Sequence, residues 1–192
     1  MEMIQRVPQL SAYLAADESI DHEHPLVRET AAALRAGAVD ECAYAKAAFE
    51  FVRDTIPHSL DTQDPRVTWR ASDVLRHRTG ICCAKAHALT ALLRAEGIPT
   101  ALCYQRLSVV HGLVAVRLPG PGRWVRQDPR GNKPGIDAQF SLDGERLAFP
   151  VRPESSEMDY PVAYDAPHPA VLRALRSASD LESLWLRYPA EL

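Results

Sequence analysis

The sequence predicts an α+β fold in which N-terminal helices lead into a short antiparallel sheet, with residues 1–192 forming a single domain. Three observations carry this reading. Between about residues 10 and 100 the chain is Ala-rich, with apolar residues at helical spacing. From about 100 to 128 the apolar runs become short and alternating, punctuated by Pro and Gly. Of the 15 prolines, 10 lie after Leu118, which favours ordered loops over long helices there. No repeat, low-complexity tract or linker divides the chain. A chain of 192 residues can bury a core without staples or metals.

Caps and period place the helices. His24-Pro25 opens one that runs to about Ala36, with Gly37 where a C′ glycine belongs. Asp40 caps a second, DECAYAKAAFEFVRDT, in which Tyr44, Ala48, Phe51 and Val52 form the apolar stripe before Pro57. Ser72 is placed as the cap of a short helix, DVLRHR. A longer one, CCAKAHALTALLRAE, stops at Gly97 and is followed by Pro99. Three strands follow, TALCYQRL, HGLVAVRL and RWVRQD, the last two joined through PGPG as a hairpin. A helix feeding an antiparallel hairpin points to α+β rather than to a βαβ sheet. Near the end, AVLRALRSASDLESLWLRYP reads as two short amphipathic helices parted at Ser179, whose Leu181, Leu184 and Trp185 stripe core packing explains.

Composition narrows the function. With 22 basic against 25 acidic residues the net charge is −3, so no nucleic-acid partner is expected. No apolar run reaches membrane-spanning length, and the first residues lack the basic-then-apolar pattern of a signal peptide, so neither a membrane partner nor export is expected. The four cysteines (Cys42, Cys82, Cys83, Cys103) lack CxxC spacing and are too few for a disulfide scaffold, which favours a reducing, cytoplasmic setting. Cys42 and Cys103 are expected in the core.

Cys82 follows Gly80 at a helix start, where unpaired backbone N–H groups and the positive dipole end favour a thiolate. It shares a stripe with Ala86, Leu89 and Leu93, so it faces whatever the helix packs on, while Cys83 is turned aside. His111 opens one strand of the hairpin and Asp128 closes the next. Across a four-residue loop His111 falls opposite position 130, with Asp128 two residues along on the same face and within reach of a ring. Taken singly, each residue has a plainer reading. Cys82 is a small buried hydrophobe, His111 a strand-end histidine bonded to backbone, and Asp128 a turn-initiating residue before Pro129. A nucleophile, a base and an orienting carboxylate account for all three at once.

The segments TGICCAKAHALTALLRAEGIPTALCYQRL and VVHGLVAVRLPGPGRWVRQDPRGN resemble the core of the transglutaminase-like superfamily. The shared pattern is Gly-x-Cys opening a helix that ends LLRAEGIP, then a strand histidine, then Trp124 shortly before Asp128-Pro129. An HS-x-D stretch (His58, Ser59, Asp61) ahead of the helix and RGNK after the aspartate resemble the small stand-alone bacterial members. The resemblance is specific over about residues 70–132. It implies a papain-like thiol fold with Cys82 as nucleophile, His111 as general acid/base and Asp128 as orienting carboxylate. Larger members add an indole N–H to the oxyanion hole from a tryptophan upstream of the cysteine. Trp69, at shorter spacing, and Gln63 are the candidates here, beside the Cys82 backbone N–H. His58, Arg130 and Asn132 are cleft-lining candidates, while Trp124 reads as a core or hairpin aromatic.

The expected activity is therefore attack on an amide of a peptide, protein or small molecule through a Cys thioester. Water as acceptor makes the protein a peptidase or amidase, and an amine makes it a transglutaminase. A non-catalytic peptide-binding module on the same fold is the third reading. Hydrolysis is favoured because the chain lacks the extra β-domains of large cross-linking transglutaminases. No cofactor or metal is expected: Cys83/His87 and His22/His24 lack further converging ligands, and PESSEMDY at 153–160 lacks calcium-loop spacing.

Overall fold

The computed structural model describes residues 1–119 and 122–192. The middle of the PGPG connection therefore lies outside the described residues. Seven α-helices are present among the described residues: α1 (Pro25–Ala36), α2 (Glu41–Thr55), α3 (Ser59–Thr62), α4 (Ala71–His77), α5 (Cys82–Ala95), α6 (Pro169–Ser177) and α7 (Leu181–Trp185). The strands are β1 (Ile4–Gln5), β2 (Thr100–Arg106), β3 (Val110–Val116), β4 (Val125–Gln127), β5 (Met158–Asp159) and β6 (Val162–Ala163). The described helices are none of them long and apolar enough to cross a membrane.

The α1 and α2 boundaries follow their caps. His24 Nδ1 accepts from Leu26 N–H at 3.1 Å, and Asp40 Oδ1 accepts from Ala43 N–H at 2.7 Å. Gly37 closes α1 without turning left-handed, whereas Gly97, after α5, takes φ +74°. Ser72 does not cap α4. The helix starts two residues earlier than expected, at Ala71, and its free N–H groups at Ala71 and Ser72 are taken by Ser19 O and Asp21 Oδ1 from a distant loop. In α2 the buried face is Tyr44, Ala45, Ala48, Phe49 and Val52, turned from the expected stripe so that Phe51 is half-buried under the Arg78 guanidinium. Cys42 is correspondingly exposed rather than in the core, while Cys103 is fully buried.

Helix α5 is the centre of the fold: every residue from Cys82 to Arg94 is buried. It is wrapped by α1, α2 and α4 on one side and by the antiparallel sheet β4-β3-β2-β5 on the other. Arg94, near its C-terminal end, is buried yet fully partnered. The Arg94 guanidinium donates to the carbonyls of Thr100, Ala15 and Asp165, which ties the LLRAEGIP turn to the segments around residues 15 and 165.

In the hairpin, Val114 pairs with Gln127, Ala115 with Arg126 and Val116 with Val125, the register a four-residue connection requires. Leu102, Tyr104, Val114 and Val116 face α5, whereas Cys103, Leu113, Ala115 and Trp124 join Tyr13 in a second apolar cluster on the other face. Trp124 packs against Tyr13 with the rings tilted by 56° and 4.9 Å between centroids, a packing role. Two-residue strands β5 and β6, absent from the sequence reading, complete the assembly: β5 extends the sheet beside β2, and β6 pairs in parallel with β1.

Candidate active site

Cys82 is the first residue of α5 and is buried at 7% exposure, opening on a cleft of about 460 Å³. His111 lies on β3 and Asp128 one residue beyond β4. The His111 ring is oriented by its Nε2, which is 2.8 Å from Asp128 Oδ2. The same carboxylate accepts Ala148 N–H at 3.0 Å on Oδ2 and Arg130 N–H at 3.1 Å on Oδ1, so both oxygens of the fully buried Asp128 are hydrogen-bonded. Phe149 packs edge-on against the imidazole at 5.1 Å. With Nε2 committed to the carboxylate, Nδ1 is the nitrogen turned toward the thiol.

The electrostatics favour a thiolate–imidazolium pair. The Cys82 thiol is held well below its ordinary range by the neighbouring Cys83 thiol, then, against burial, by His111 and His58. Burial works against charge on His111, but the Asp128 carboxylate and the Cys82 sulfur overcome it and raise the ring to about 10. Cys83 goes the opposite way: burial pushes its thiol well up, and its sulfur lies 2.8 Å from the Tyr188 hydroxyl.

A close approach of helix to strand lets thiol and imidazole meet. Next to His111 on β3, Gly112 takes the position facing the helix. A Cβ at Gly112 would sit 2.3 Å from Cys83 Sγ and 2.9 Å from Cys83 Cα. The missing side chain lets the helix start press onto β3, where Gly112 N–H reaches Cys82 Sγ at 3.5 Å.

His58, just before α3, comes against Cys82 more closely than cleft lining implies. Its Nε2 is 3.0 Å from the Cys82 backbone nitrogen and its Nδ1 is 3.3 Å from Leu60 N. A strand-like bridge to Gly80, with Ser59 N–H on Gly80 O at 3.2 Å, runs residue 58 alongside the approach to Cys82. Arg130 lines the cleft, but its guanidinium grips Asp61, with Nη2 2.9 Å from Oδ1. Burial raises the Asp61 carboxyl, yet hydrogen bonds from Arg130 and Lys133 outweigh it and hold the group below the usual carboxylate range.

The other candidates fall elsewhere. Trp69 does not line the cleft. It is half-buried between the Arg70 and Arg176 guanidinium groups, and its carbonyl accepts from the His87 ring. Gln63 is the exposed, left-handed residue that ends α3, turned out of the cleft. Asn132 is tied into its own turn by Ala138, on the far side of Asp61. Both loops follow tertiary paths that no local spacing encodes.

Two contributors escaped sequence reasoning. Trp185 of α7 forms a wall of the cleft, held there because Pro189 O accepts Val110 N–H at 2.9 Å. Lys85, a fully buried amine one turn after Cys82, donates to the carbonyls of Ile56 and Arg53, closing the end of α2 just before His58. A lysine in the first turn of a helix rich in small and apolar residues is the signal that could have marked it.

Burial, with Arg130 nearby, lowers Lys85 to about 7. At Lys85 the folded state thus binds fewer protons than the unfolded chain between about 7 and 10.5, and this residue's contribution to stability rises with pH across that window. Urea unfolding should show wild type gaining stability relative to Lys85→Met from pH 7 to 10. A difference that stays flat with pH would contradict a neutral buried amine.

A helix start carrying a thiol, packed on an antiparallel sheet that carries histidine and aspartate, is the architecture of papain-like folds. The model of the transglutaminase-like superfamily matches residues 28–129, just over half of the sequence, and the chain belongs to that superfamily. No curated protein matches it significantly. Among solved structures, a protein provisionally assigned as a cysteine protease from Cytophaga hutchinsonii superposes with a TM-score of 0.55 at 16% identity, covering 65% of this chain and 43% of that one. The periplasmic domain of TgpA from Pseudomonas aeruginosa gives 0.50 at 23% identity, covering 61% and 45%. The chain spans less than half the length of each, and the likeness is one of fold.

Proposed function

We propose that the protein is a thiol-dependent acyl-transfer enzyme that hydrolyses an amide of a peptide or small molecule. The observation that carries this is the His111 ring, bonded to a buried Asp128 and turned toward a helix-terminal thiol in an open cleft. In that arrangement the Cys82 thiolate attacks the amide carbon and forms a C–S bond, placing negative charge on the carbonyl oxygen. The His111 imidazolium gives its proton to the departing amine as the C–N bond breaks. The neutral ring then takes a proton from water, whose oxygen attacks the thioester and releases the acid and the thiolate. Asp128 keeps Nε2 engaged and stabilises the imidazolium throughout.

Mass spectrometry of the protein mixed with an N-acyl amino-acid p-nitrophenyl ester should find the acyl group on Cys82, decaying to the free acid. With a primary amine present at millimolar concentration, acid remains the main product of a hydrolase. Amide as the main product would instead make the protein a transglutaminase-type acyltransferase. Absence of any acyl adduct on Cys82 would overturn both readings in favour of a peptide-binding module.

A further inference from the structure

We propose that His58 supplies the side-chain half of the oxyanion hole, with its Nε2–H and the Cys82 backbone N–H receiving the same oxygen. The proposal rests on the acyl-transfer reading and adds the group that stabilises its intermediate. The observation behind it is an unsatisfied count. Two backbone N–H groups, those of Leu60 and Cys82, address the two nitrogens of one imidazole at 3.3 Å and 3.0 Å. A neutral imidazole carries one proton and so has one acceptor nitrogen, which means the resting site satisfies one of these donors and leaves the other.

An oxygen anion beside Cys82 resolves the conflict. It accepts from the Cys82 N–H and from Nε2–H, while Nδ1 accepts from Leu60 N–H, so all three donors are matched only when charge has developed on the substrate oxygen. That is stabilisation directed at the intermediate rather than at bound substrate. The ring is held for the task from both sides. The bridge to Gly80 fixes its backbone beside the helix start, and the Lys85 ammonium or amine fastens Ile56 O two residues upstream. His58 is 6% exposed, so few waters compete for the position. It also lines the cleft in which the thiol lies, whereas Trp69 and Gln63 do not.

Two reactions of Cys82 separate this role from thiol activation. Alkylation by iodoacetamide displaces iodide at a saturated carbon and forms no oxyanion. Acylation by p-nitrophenyl acetate passes through one. In His58→Leu, acylation should slow on the order of a hundredfold, the usual scale for losing one oxyanion donor, while alkylation at the same pH changes less than about fivefold. His58→Gln, which keeps an N–H donor of similar reach, should recover most of the acylation rate. Parallel losses in both reactions would mean that His58 acts on the thiolate or the fold, and equal acylation in wild type and His58→Leu would mean that it does nothing for the oxyanion. Either result overturns the proposal. A wild-type Cys82 inert to both reagents would instead sink the triad reading beneath it.

Discussion

Replacing His111 with alanine should slow alkylation of Cys82 by iodoacetamide about 30-fold at pH 6 and change the shape of its pH profile. In wild type the thiol is ionised far below its ordinary range and His111 stays protonated toward about 10, so the rate should be nearly flat from about pH 6 to 9. Without the imidazolium the sulfur reverts toward an ordinary thiol, and burial raises it further. Only about 0.3% of a thiol of pKa 8.5 is ionised at pH 6, a loss of about 300-fold in thiolate. The more basic thiolate is the better nucleophile, which returns roughly a factor of ten and leaves the net effect quoted. The variant's rate should then climb almost tenfold per pH unit through neutrality. Site-resolved mass spectrometry checks this, with exposed Cys42 as an internal thiol of ordinary access. A wild-type profile that itself climbs tenfold per unit would mean that no ion pair forms.

Gly112→Ala should destabilise the protein by about 3 kcal/mol or more, the upper range for forcing a methyl into a filled interior. The contact at stake includes a backbone atom, Cys83 Cα at 2.9 Å, so no rotamer change relieves it. Strand β3 and the start of α5 would have to part. For a chain of this size that is about 6–12 °C in melting temperature. The same movement draws His111 away from Cys82, so the fast alkylation should vanish even at temperatures where the variant remains folded. Adding Cys83→Ala removes the 2.3 Å contact with Sγ but not the contact with Cα, and should restore only part of the loss. A melting temperature within about 2 °C of wild type would show that helix and strand are not pressed together here.

What could be read ahead of the structure was whatever repeats at a fixed short period. His24 and Asp40 announce α1 and α2 because a cap bonds within three residues, and α5 shows its start and its left-handed Gly97 stop in the same local way. The β3–β4 register follows from loop length alone, which is why His111 and Asp128 could be placed on one face. Small errors of phase survive in such readings, as with Phe49 and Phe51, because a stripe can turn by part of a residue without altering the pattern. The remaining site was hidden for a different reason. His58 reaches Cys82 across 24 residues of loop and short helix, and Trp185 arrives from the far end of the chain. Ser72 lost its expected cap to Asp21, whose reach depends on where a distant loop is held. Contacts of this kind depend on the whole fold, and neither propensity nor spacing reports them.

The docking of Tyr188 on Cys83 and of Pro189 on Val110 has a consequence for how the protein is made. A ribosome delivers the thiol-bearing helix first, and 105 residues separate Cys83 from Tyr188. At about 5–20 residues per second that gap lasts roughly 5–20 s. Throughout it, β3 has no Pro189 carbonyl for Val110 and the cleft has no indole wall. The nascent thiol therefore waits in an unfinished setting until the residues around Tyr188 and Pro189 dock beside it. Maturation of the site is thereby timed by translation of that later segment.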